Sequence, residues 1–331
     1  MATNIKDIAR LAGVAPITVS RVINNRPEVT EKTRKKVNAV IDKLHWRPNL
    51  QARALIRSKT YTISFIATDL AASFNSEVLQ EAERMASKLR YGLLVMNTDD
   101  DDEQLYWAVR ESLARSVDGI ILCLNVNDER TVKLLQDAMK DGMRCVILFN
   151  EVPGVPELSV DYEMAGRLAA EHLRSLGRRK CLFIHDAPDL NSDRFTEWRW
   201  RGFASLADDV DDFTVANARV PYGSAEFSDS GISLADFNGV FCQNDRCLPD
   251  VYRMAAKAGL RIPDDLAVVG CNNRNISSQF LPSASTIDIR KMDIGKQAVQ
   301  RLVFTKPAYP VRGKIFQPEL IVRESSTRIK H

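Results

Sequence analysis

From Tyr61 onward, short apolar runs of strand length alternate with longer stretches that have helical periodicity. Alternation of this kind is typical of parallel β-sheets flanked by helices. The segments in chain order are 62–68, 77–89, 93–96, 103–115, 119–124, 131–141, 145–149, 164–176, 180–184, 199–207, 239–241, 248–258 and 266–270. We therefore predict an α/β fold of two such halves, which divide near residues 160–162. The acidic run 99–102 is expected to be a solvated loop in which Asp102 caps the next helix.

The first sixty residues differ from the rest in charge. They hold 13 Lys and Arg against 4 Asp and Glu, whereas the remaining residues hold 33 against 39. A basic segment joined to an acidic body suggests a module that binds a polyanion. A solvated helical surface would give the same count, so charge alone makes nucleic acid only one of two explanations.

Three short amphipathic helices are predicted in this basic segment. Apolar residues recur at helical spacing from Ile5 to Ala12, and Gly13 then breaks the pattern. A second helix is expected over 16–24, with a proline in its first turn, and a third from the N-cap residue Thr30. Two helices separated by a glycine-containing turn match a helix-turn-helix.

Two stretches carry a specific resemblance. Residues 5–14 (IKDIARLAGV) and 18–24 (TVSRVIN) resemble the signature of the LacI/GalR family of bacterial repressors, and 47–49 with 52–55 resemble its hinge segment. The resemblance extends to 318–325 and so covers essentially the whole chain. It implies a helix-turn-helix headpiece over 1–47, a hinge helix and linker over 48–60, and a core over 61–331 that is similar to a type I periplasmic sugar-binding protein.

In that fold the chain crosses between two lobes more than once. The resemblance implies an N-lobe of about 61–160 plus a returning segment near 289–318. The C-lobe would hold about 162–287 plus the C-terminal end.

Recognition helices of this class enter the major groove at their N-terminal ends, so Pro16, Ile17 and Arg21 are expected to meet base edges. Arg21 can donate two hydrogen bonds to guanine, whereas Ile17 can only pack on apolar surface such as a thymine methyl group. Short polar side chains nearby suit phosphate contacts. The family usually has Ser where this chain has Ala15, which leaves the operator sequence open. The predicted DNA-binding residues are Thr3, Ile5, Pro16, Ile17, Thr18, Ser20, Arg21, Asn24, Asn25, Asn49, Ala52, Arg53 and Leu55.

Residues 49–56 are long enough for about two helical turns, which is too short for a stable isolated helix. The resemblance implies that paired hinge helices lie in the minor groove and that a leucine from each opens a base step. Leu55 stands at that position. Such a wedge kinks the duplex at a cost of a few kcal/mol that closer contact offsets. The alternative is a plain linker with one apolar residue.

Ligands of open α/β sheets bind outside the carboxyl ends of the strands, so residues directly after strands are the candidates. Family members commonly place ligand contacts at the positions of Phe74, Arg199 and the Asn244-Asp245 pair. Asn272 stands where the family usually has Asp, which widens the ligand from neutral sugars to sugar acids or sugar phosphates. The predicted effector-binding residues are Asp69, Phe74, Asn75, Asp161, Trp198, Arg199, Tyr222, Asn244, Asp245 and Asn272. The alternatives are ordinary packing for the aromatic residues and helix capping for Asn244 and Asp245.

Other classes of protein are disfavoured. The sequence has no G-x-S-x-G, H-E-x-x-H or P-loop motif, and its four histidines lack metal-ligand spacing, so we expect no enzyme, metal or cofactor. A transport binding protein would share the core but would need a signal peptide, which the N-terminus does not resemble, and would not need residues 1–57. The six scattered cysteines are expected to be buried, reduced thiols. We therefore predict a cytoplasmic, homodimeric, sequence-specific repressor of carbohydrate-utilisation genes that binds a near-palindromic DNA operator and a sugar, sugar acid or sugar phosphate, with no membrane partner.

Overall fold

The computed structural model describes residues 4–23, 26–44, 46, 59–71, 73–228, 231–304 and 313–327. It forms two compact units, residues 1–60 and residues 61–331.

The first unit is built from α1 (Ile5–Ala12), α2 (Pro16–Ile23) and α3 (Glu31–Lys43). All three helices were predicted, and the structure confirms them. Their apolar faces meet in a small core of buried residues, which are Ile8, Ala9, Ala12, Val19, Val22 and Val37.

Local sequence sets where these helices begin and end. The Asn4 side chain accepts hydrogen bonds from the amides of Lys6 and Asp7, and the Asp7 carboxylate accepts one from the Asn4 amide, which completes a capping box. Gly13 ends α1 in the left-handed conformation (φ 57°), which glycine adopts without steric cost. The Thr30 hydroxyl accepts from the Thr33 amide and caps α3, as predicted.

The second unit contains two sheets with helices on their faces. The first half of its chain gives β1 (Thr62–Ala67), α4 (Ser73–Lys88), β2 (Gly92–Asn97), α5 (Asp102–Ala114), β3 (Gly119–Cys123), α6 (Glu129–Lys140), β4 (Cys145–Leu148) and β5 (Glu157–Val160). The second half gives α7 (Tyr162–Ser175), β6 (Lys180–His185), α8 (Arg194–Asp209), β7 (Thr214–Arg219), β8 (Gly239–Cys242), α9 (Leu248–Lys257), β9 (Ala267–Cys271) and β10 (Ser285–Asp288). The last elements are α10 (Lys291–Phe304), β11 (Lys314–Phe316) and β12 (Glu319–Ile321).

Each sheet has six strands among the described residues. The first has the order β11-β5-β4-β3-β1-β2 and is parallel throughout; the second has the order β12-β10-β9-β8-β6-β7, with β12 antiparallel to β10. The central strands are buried on both faces, which is why they read as continuous apolar runs. The carboxyl ends of neighbouring parallel strands share one edge of each sheet, and polar residues follow the strands at that edge.

The chain passes between the two sheets three times. It leaves the first sheet after β5, returns to it after β10, and leaves it again between β11 and β12. Helix α10 packs on α4 and on the first sheet, although it follows the last long strand of the second. We refer below to the first sheet with its helices as the N-lobe and to the second as the C-lobe.

Helices α7 and α8 lie unusually close on the C-lobe sheet. A Cβ atom added to Gly166 would lie 2.0 Å from the Arg199 carbonyl oxygen, and one added to Gly202 would lie 1.8 Å from that of Glu163. Only glycine allows this approach of the two backbones. The contact fixes α8, the helix that carries Arg199.

The structure confirms the predicted α/β class and places the predicted strands and helices to within a few residues at most ends. Helix α8 begins earlier than predicted, and β7, β10, β11, β12 and α10 were not predicted. One capping assignment was wrong: Asp101, not Asp102, accepts from the amides of Glu103 and Gln104 and caps α5, which already includes Asp102.

All six cysteines are free and buried, as predicted. Burial raises the pKa of the Cys123 thiol to about 12.

Candidate functional site

In the first unit, α2 turns one face inward and the other to solvent. Val19 and Val22 are buried against α1 and α3. Ile17 is 59% exposed and Arg21, one turn later, is exposed on the same face. A large exposed aliphatic side chain beside a basic one has no role in this small core, so this face is available to a partner.

The remaining predicted DNA contacts divide into two groups. Ile5 and Pro16 are exposed, whereas Thr18 and Ser20 are half-buried. The Ala15 carbonyl accepts hydrogen bonds from the amides of Thr18 and Val19 at the start of α2. The other predicted residues lie outside the described part of the chain: Thr3, Asn24, Asn25, Asn49, Ala52, Arg53 and Leu55. Their roles stay predictions.

In the second unit, three predicted N-lobe residues lie together after β1. The Asn75 side-chain amide donates to the Asp69 carbonyl at 2.8 Å, and its oxygen accepts from the Cys123 thiol at the end of β3 at 3.6 Å. The Phe74 ring contacts the edge of Phe149, which follows β4, with 5.0 Å between ring centroids. Asp69, Phe74 and Asn75 therefore share the carboxyl edge of the first sheet.

A second group gathers at the carboxyl edge of the C-lobe. Arg199 of α8 lies over the Tyr162 ring, 4.7 Å from its centroid, and one of its terminal nitrogens donates to the Asn272 side-chain oxygen at 3.4 Å. Trp198 stacks on the same tyrosine with 6.1 Å between centroids. Trp198, Arg199 and Asn272 are thus brought together around a tyrosine that sequence analysis did not select.

Asn272 and Asn273 form a tight turn after β9. Both have positive φ, 93° and 43°, a region that asparagine tolerates better than most residues. Lys291, at the start of α10, donates to both of their carbonyl oxygens and pairs with Glu77 of α4 at 3.1 Å. This buried lysine ties the Asn272 turn to the N-lobe.

The structure assigns Asp245 to the interior. Its side chain is fully buried, and its two oxygens accept from the Thr286 hydroxyl at 2.8 Å and the Arg274 amide at 2.7 Å. Gly270 passes so close that a Cβ there would lie 2.1 Å from the carboxylate. Burial raises the pKa of Asp245 from 3.8 to about 7. Asp245 has no surface that reaches a ligand and holds together the loops after β8 and β9.

Asn244 and Asp161 have structural partners. Asn244 accepts from the Arg246 amide at 2.8 Å, which forms a turn before α9 rather than a helix cap. Asp161 caps α7 by accepting from the Met164 amide at 2.9 Å. Asp161 also lies in a surface groove of about 420 Å³ between α7 and α8, where none of the other described lining residues belongs to the predicted effector set.

Tyr222 lies apart from the Arg199 group. It is 61% exposed, and the Arg246 guanidinium stacks over its ring at 4.1 Å from the centroid. Arg246 also approaches the Asp186 carboxylate at 3.7 Å. No hydrogen bond or ring contact in the described part of the structure joins Tyr222 to Arg199 or Asn272.

Sequence analysis missed four further polar or aromatic residues at the two carboxyl edges. Tyr162 and Lys291 gave no pattern that would have selected them, because the first opens a helix and the second follows a strand that was not predicted. Asn125 and Asn150 follow β3 and β4 directly, and the Asn150 amide donates to the Asn125 oxygen and to the Leu124 carbonyl. The rule that ligand residues follow strands would have found both asparagines.

In the described parts of the chain, no helix is long and apolar enough to cross a membrane. No group of three or more His, Cys, Asp or Glu side chains is arranged to hold a metal ion there.

Comparison with known proteins places both units. Residues 4–49 match the family model of bacterial regulatory proteins of the lacI family, and residues 170–326 match that of a periplasmic binding protein-like domain. The chain is 30% identical over 333 residues to the HTH-type transcriptional repressor PurR of Photobacterium profundum, with 98% of each chain covered.

Two solved structures share the fold. The lac repressor dimer bound to operator and the anti-inducer ONPF superposes with a TM-score of 0.80 at 24% identity, covering 99% of this chain and 100% of that one. The transcriptional regulator CelR–cellobiose complex gives a TM-score of 0.63 at 22% identity, covering 98% and 100%.

These matches confirm the resemblance seen in the sequence and the expectation that the protein is not an enzyme. The relative from Photobacterium profundum is a transcriptional repressor, and the match to it extends over both units of this chain. The chain therefore belongs to the LacI family of bacterial regulatory proteins, transcription regulators that join a DNA-binding helix-turn-helix to a periplasmic-binding-protein-like domain.

Proposed function

We propose that the protein represses transcription by binding a near-palindromic operator through α2, and that a sugar-type molecule in the core controls this binding. The observation that carries the DNA-binding half is the outer face of α2. Ile17 and Arg21 are exposed there one turn apart, while Val19 and Val22 hold the helix to its small core.

The chemistry of that face suits the major groove. Arg21 has the fork of donors that pairs with guanine, a contact that contributes about 1–3 kcal/mol of discrimination. Ile17 offers apolar surface to a thymine methyl group, and Pro16 precedes it at the end of the helix that enters first. Thr18 and Ser20 are proposed to contact phosphates, which position the helix without reading the sequence.

The proposal also includes the segment between the units. Leu55 is proposed to wedge into a base step of the minor groove, with Asn49, Ala52 and Arg53 beside it, and Thr3, Ile5, Asn24 and Asn25 to flank the recognition helix. Two copies of the chain would then bind half-sites about one DNA turn apart. This proposal places the protein in the cytoplasm, together with its operator DNA. The lac repressor, a regulator of this fold, binds its operator as a dimer in its solved structure, which supports a dimer here.

The effector is proposed to bind between the carboxyl edges of the two sheets. Asp69, Phe74 and Asn75 would contact it from the N-lobe, and Trp198, Arg199 and Asn272 from the C-lobe. Amides and guanidinium groups bind hydroxyls, and aromatic faces cover the apolar side of a sugar ring. The cellobiose complex of a regulator with this fold supports a carbohydrate. In this proposal Asp245 positions the loops, and Asp161, Tyr222 and Asn244 lie at the margin.

Control would act through the three chain crossings between the lobes. A ligand that bridges both edges favours one relative orientation of the lobes, and that orientation would favour or disfavour an ordered hinge segment. Coupling energies of this kind are typically about 1–3 kcal/mol and are reciprocal between the two ligands.

The experiment that tests DNA reading is selection of operators from a random DNA library with Arg21→Ala. We expect specific affinity to fall by about 5- to 150-fold and preference at one base pair of each half-site to relax. Arg10→Ala is the matched control, because it removes an exposed arginine of α1 that is not among the proposed readers. Equal losses of specific affinity in both variants, with sequence preference kept in Arg21→Ala, would contradict the assignment of α2 as the reading helix.

A further inference from the structure

The guanidinium of Arg199 is buried without a charge partner. The residue is only 6% exposed. One terminal nitrogen donates to the Phe195 carbonyl at 3.2 Å and the other to the neutral Asn272 amide at 3.4 Å, while Nε has no hydrogen-bond partner. Within the described ranges, Arg199 makes no ion pair with any carboxylate.

The acidic side chain that acts on Arg199 electrostatically is bonded elsewhere. Asp193 interacts electrostatically with Arg199, but its oxygens accept from the amides of Phe195 and Thr196 at 3.2 and 3.1 Å and from the Thr196 hydroxyl. These bonds cap α8, so Asp193 is held at the helix start. It cannot turn toward the guanidinium without uncapping the helix.

Other groups at the same edge follow this pattern. Arg219, at the end of β7, and Arg274, two residues after Asn272, each have a buried Nε without a partner. The acids of this edge have partners of their own: Asp186 accepts from Gln243 and pairs with Arg246, and Asp245 is enclosed by Thr286 and the Arg274 amide. These arginines of the C-lobe edge therefore have buried donors without a partner, whereas the carboxylates of Asp186 and Asp245 are already bonded.

A buried guanidinium without a counter-ion is costly. Removing such a group from water is unfavourable unless it is paired and hydrogen-bonded. The Tyr162 face under Arg199 offsets part of this cost by a cation–π contact. An anion that completes the hydrogen bonds of the arginine would offset the rest, because charge-assisted bonds to carboxylate or phosphate are the strongest that arginine makes.

We propose that the effector is an anion, and that its carboxylate or phosphate group is received by Arg199 beside the amide of Asn272. This inference rests on the proposed effector-controlled function and narrows its ligand. Asn272 makes the site suitable for an anion, because its amide nitrogen can donate a hydrogen bond to one. An aspartate at this position would instead neutralise Arg199 and repel an anionic ligand.

The first test needs no ligand. Asn272→Asp places a carboxylate against Arg199, so we expect the thermal midpoint of the ligand-free full-length protein to rise by about 2–4 °C. Gln104→Glu is the matched control, since it makes the same change of charge on an exposed position of α5 and should leave the midpoint unchanged. A midpoint in Asn272→Asp that equals or falls below that of Gln104→Glu would overturn the inference.

The second test measures binding to the full-length protein by calorimetry and thermal shift. The probes are D-gluconate, D-glucuronate, glucose 6-phosphate and inorganic phosphate, with D-glucose as the neutral match. We expect at least one anion to bind the wild type more tightly than glucose, and Asn272→Asp to lower that affinity by tenfold or more. Comparing the affinities of gluconate and glucuronate with those of glucose 6-phosphate and inorganic phosphate shows whether the ligand carries a carboxylate or a phosphate. If no anion binds in a manner that depends on Asn272, the inference is wrong.

Operator binding measured with the same compounds separates the two proposals. If glucose or another neutral sugar changes operator affinity and the anions do not, the proposed control function stands and the anionic ligand is excluded. If an anion binds in an Asn272-dependent way but changes operator affinity in no DNA tested, the anion site stands and the proposed control of DNA binding fails.

Discussion

The side chains proposed to meet base edges, Pro16, Ile17 and Arg21, all belong to one short helix, whereas those proposed to meet the effector come from strand ends far apart in the sequence. The first unit needs only a small apolar core to present Ile17 and Arg21, and every buried residue in its described part is apolar. The second unit buries ionisable groups such as Arg199 and Asp245 at the carboxyl edge of its second sheet. A surface that reads a polyanion can stay solvated, while a site for a small molecule must carry desolvated polar groups.

The largest expected effect tests the packing that holds Arg199. Gly202→Ala places a Cβ within 1.8 Å of the Glu163 carbonyl oxygen, so α7 and α8 must separate. We expect the core to lose more than about 3 kcal/mol of unfolding free energy, measured by urea denaturation. Gly92→Ala is the control, because a Cβ there meets no atom within 4 Å. A loss below about 1 kcal/mol in Gly202→Ala would show that the helix pair adapts and does not fix α8.

The next effect falls on the first unit. Ile8 is fully buried in a core of few side chains, and Ile8→Ala should lower the stability of that unit by about 2–4 kcal/mol. A domain this small has little stability to lose, so operator binding should fall with it. Amide hydrogen exchange would show lost protection in α1 to α3 and unchanged protection in the core sheets. Leu11→Ala, at a position 57% exposed, should change neither, and exchange that rises equally in both units would contradict their independence.

A smaller effect distinguishes the two units by how their unfolding free energies depend on pH. The pKa of Asp245 is raised to about 7 in the folded protein, above its unfolded value near 3.8, so its contribution to stability is present below pH 4 and is lost as the pH rises through 7. In Asp245→Asn the side-chain oxygen can accept from the Arg274 amide and the side-chain NH2 can donate to the Thr286 hydroxyl, and the group does not titrate. We expect the wild-type core to lose about 1–3 kcal/mol more than the variant between about pH 4.5 and 8, measured by chemical denaturation.

The first unit has only apolar residues in its described core and should show no such difference between the two proteins. A pH dependence that is the same in wild type and Asp245→Asn would mean that the buried carboxylate stays charged throughout this range.

The same contrast explains what sequence analysis achieved. The three helices of the first unit were predicted because their signals act within a few residues: helical apolar spacing from Ile5, the break at Gly13, and the N-cap Thr30. Central strands such as β3 were predicted because burial on both faces leaves an uninterrupted apolar run. The short edge strands β11 and β12 were not, since three residues that are partly exposed leave no periodic pattern.

Predictions of site residues depended on a different kind of information. Position after a strand selected Asp69 and Asn272, and the family resemblance selected Arg199, but neither could show which polar groups are already bonded inside the protein. Asp245 follows a strand like any ligand residue, yet Thr286 and Arg274 enclose it. Lys291 could not be predicted from the sequence because its partners lie far away along the chain, and only the fold brings Glu77 to it.

The three passages of the chain between the lobes have a consequence for synthesis. The N-lobe sheet starts with β1 at Thr62 but receives its outer strand, β11, only at Lys314–Phe316. A ribosome therefore releases almost the entire chain before that sheet can close, and until then the backbone of β5 is open to pairing with another nascent chain. Cutting the gene after β5 would not yield two self-sufficient fragments, because the first would lack β11 and α10, and the second would carry both without the sheet on which they pack.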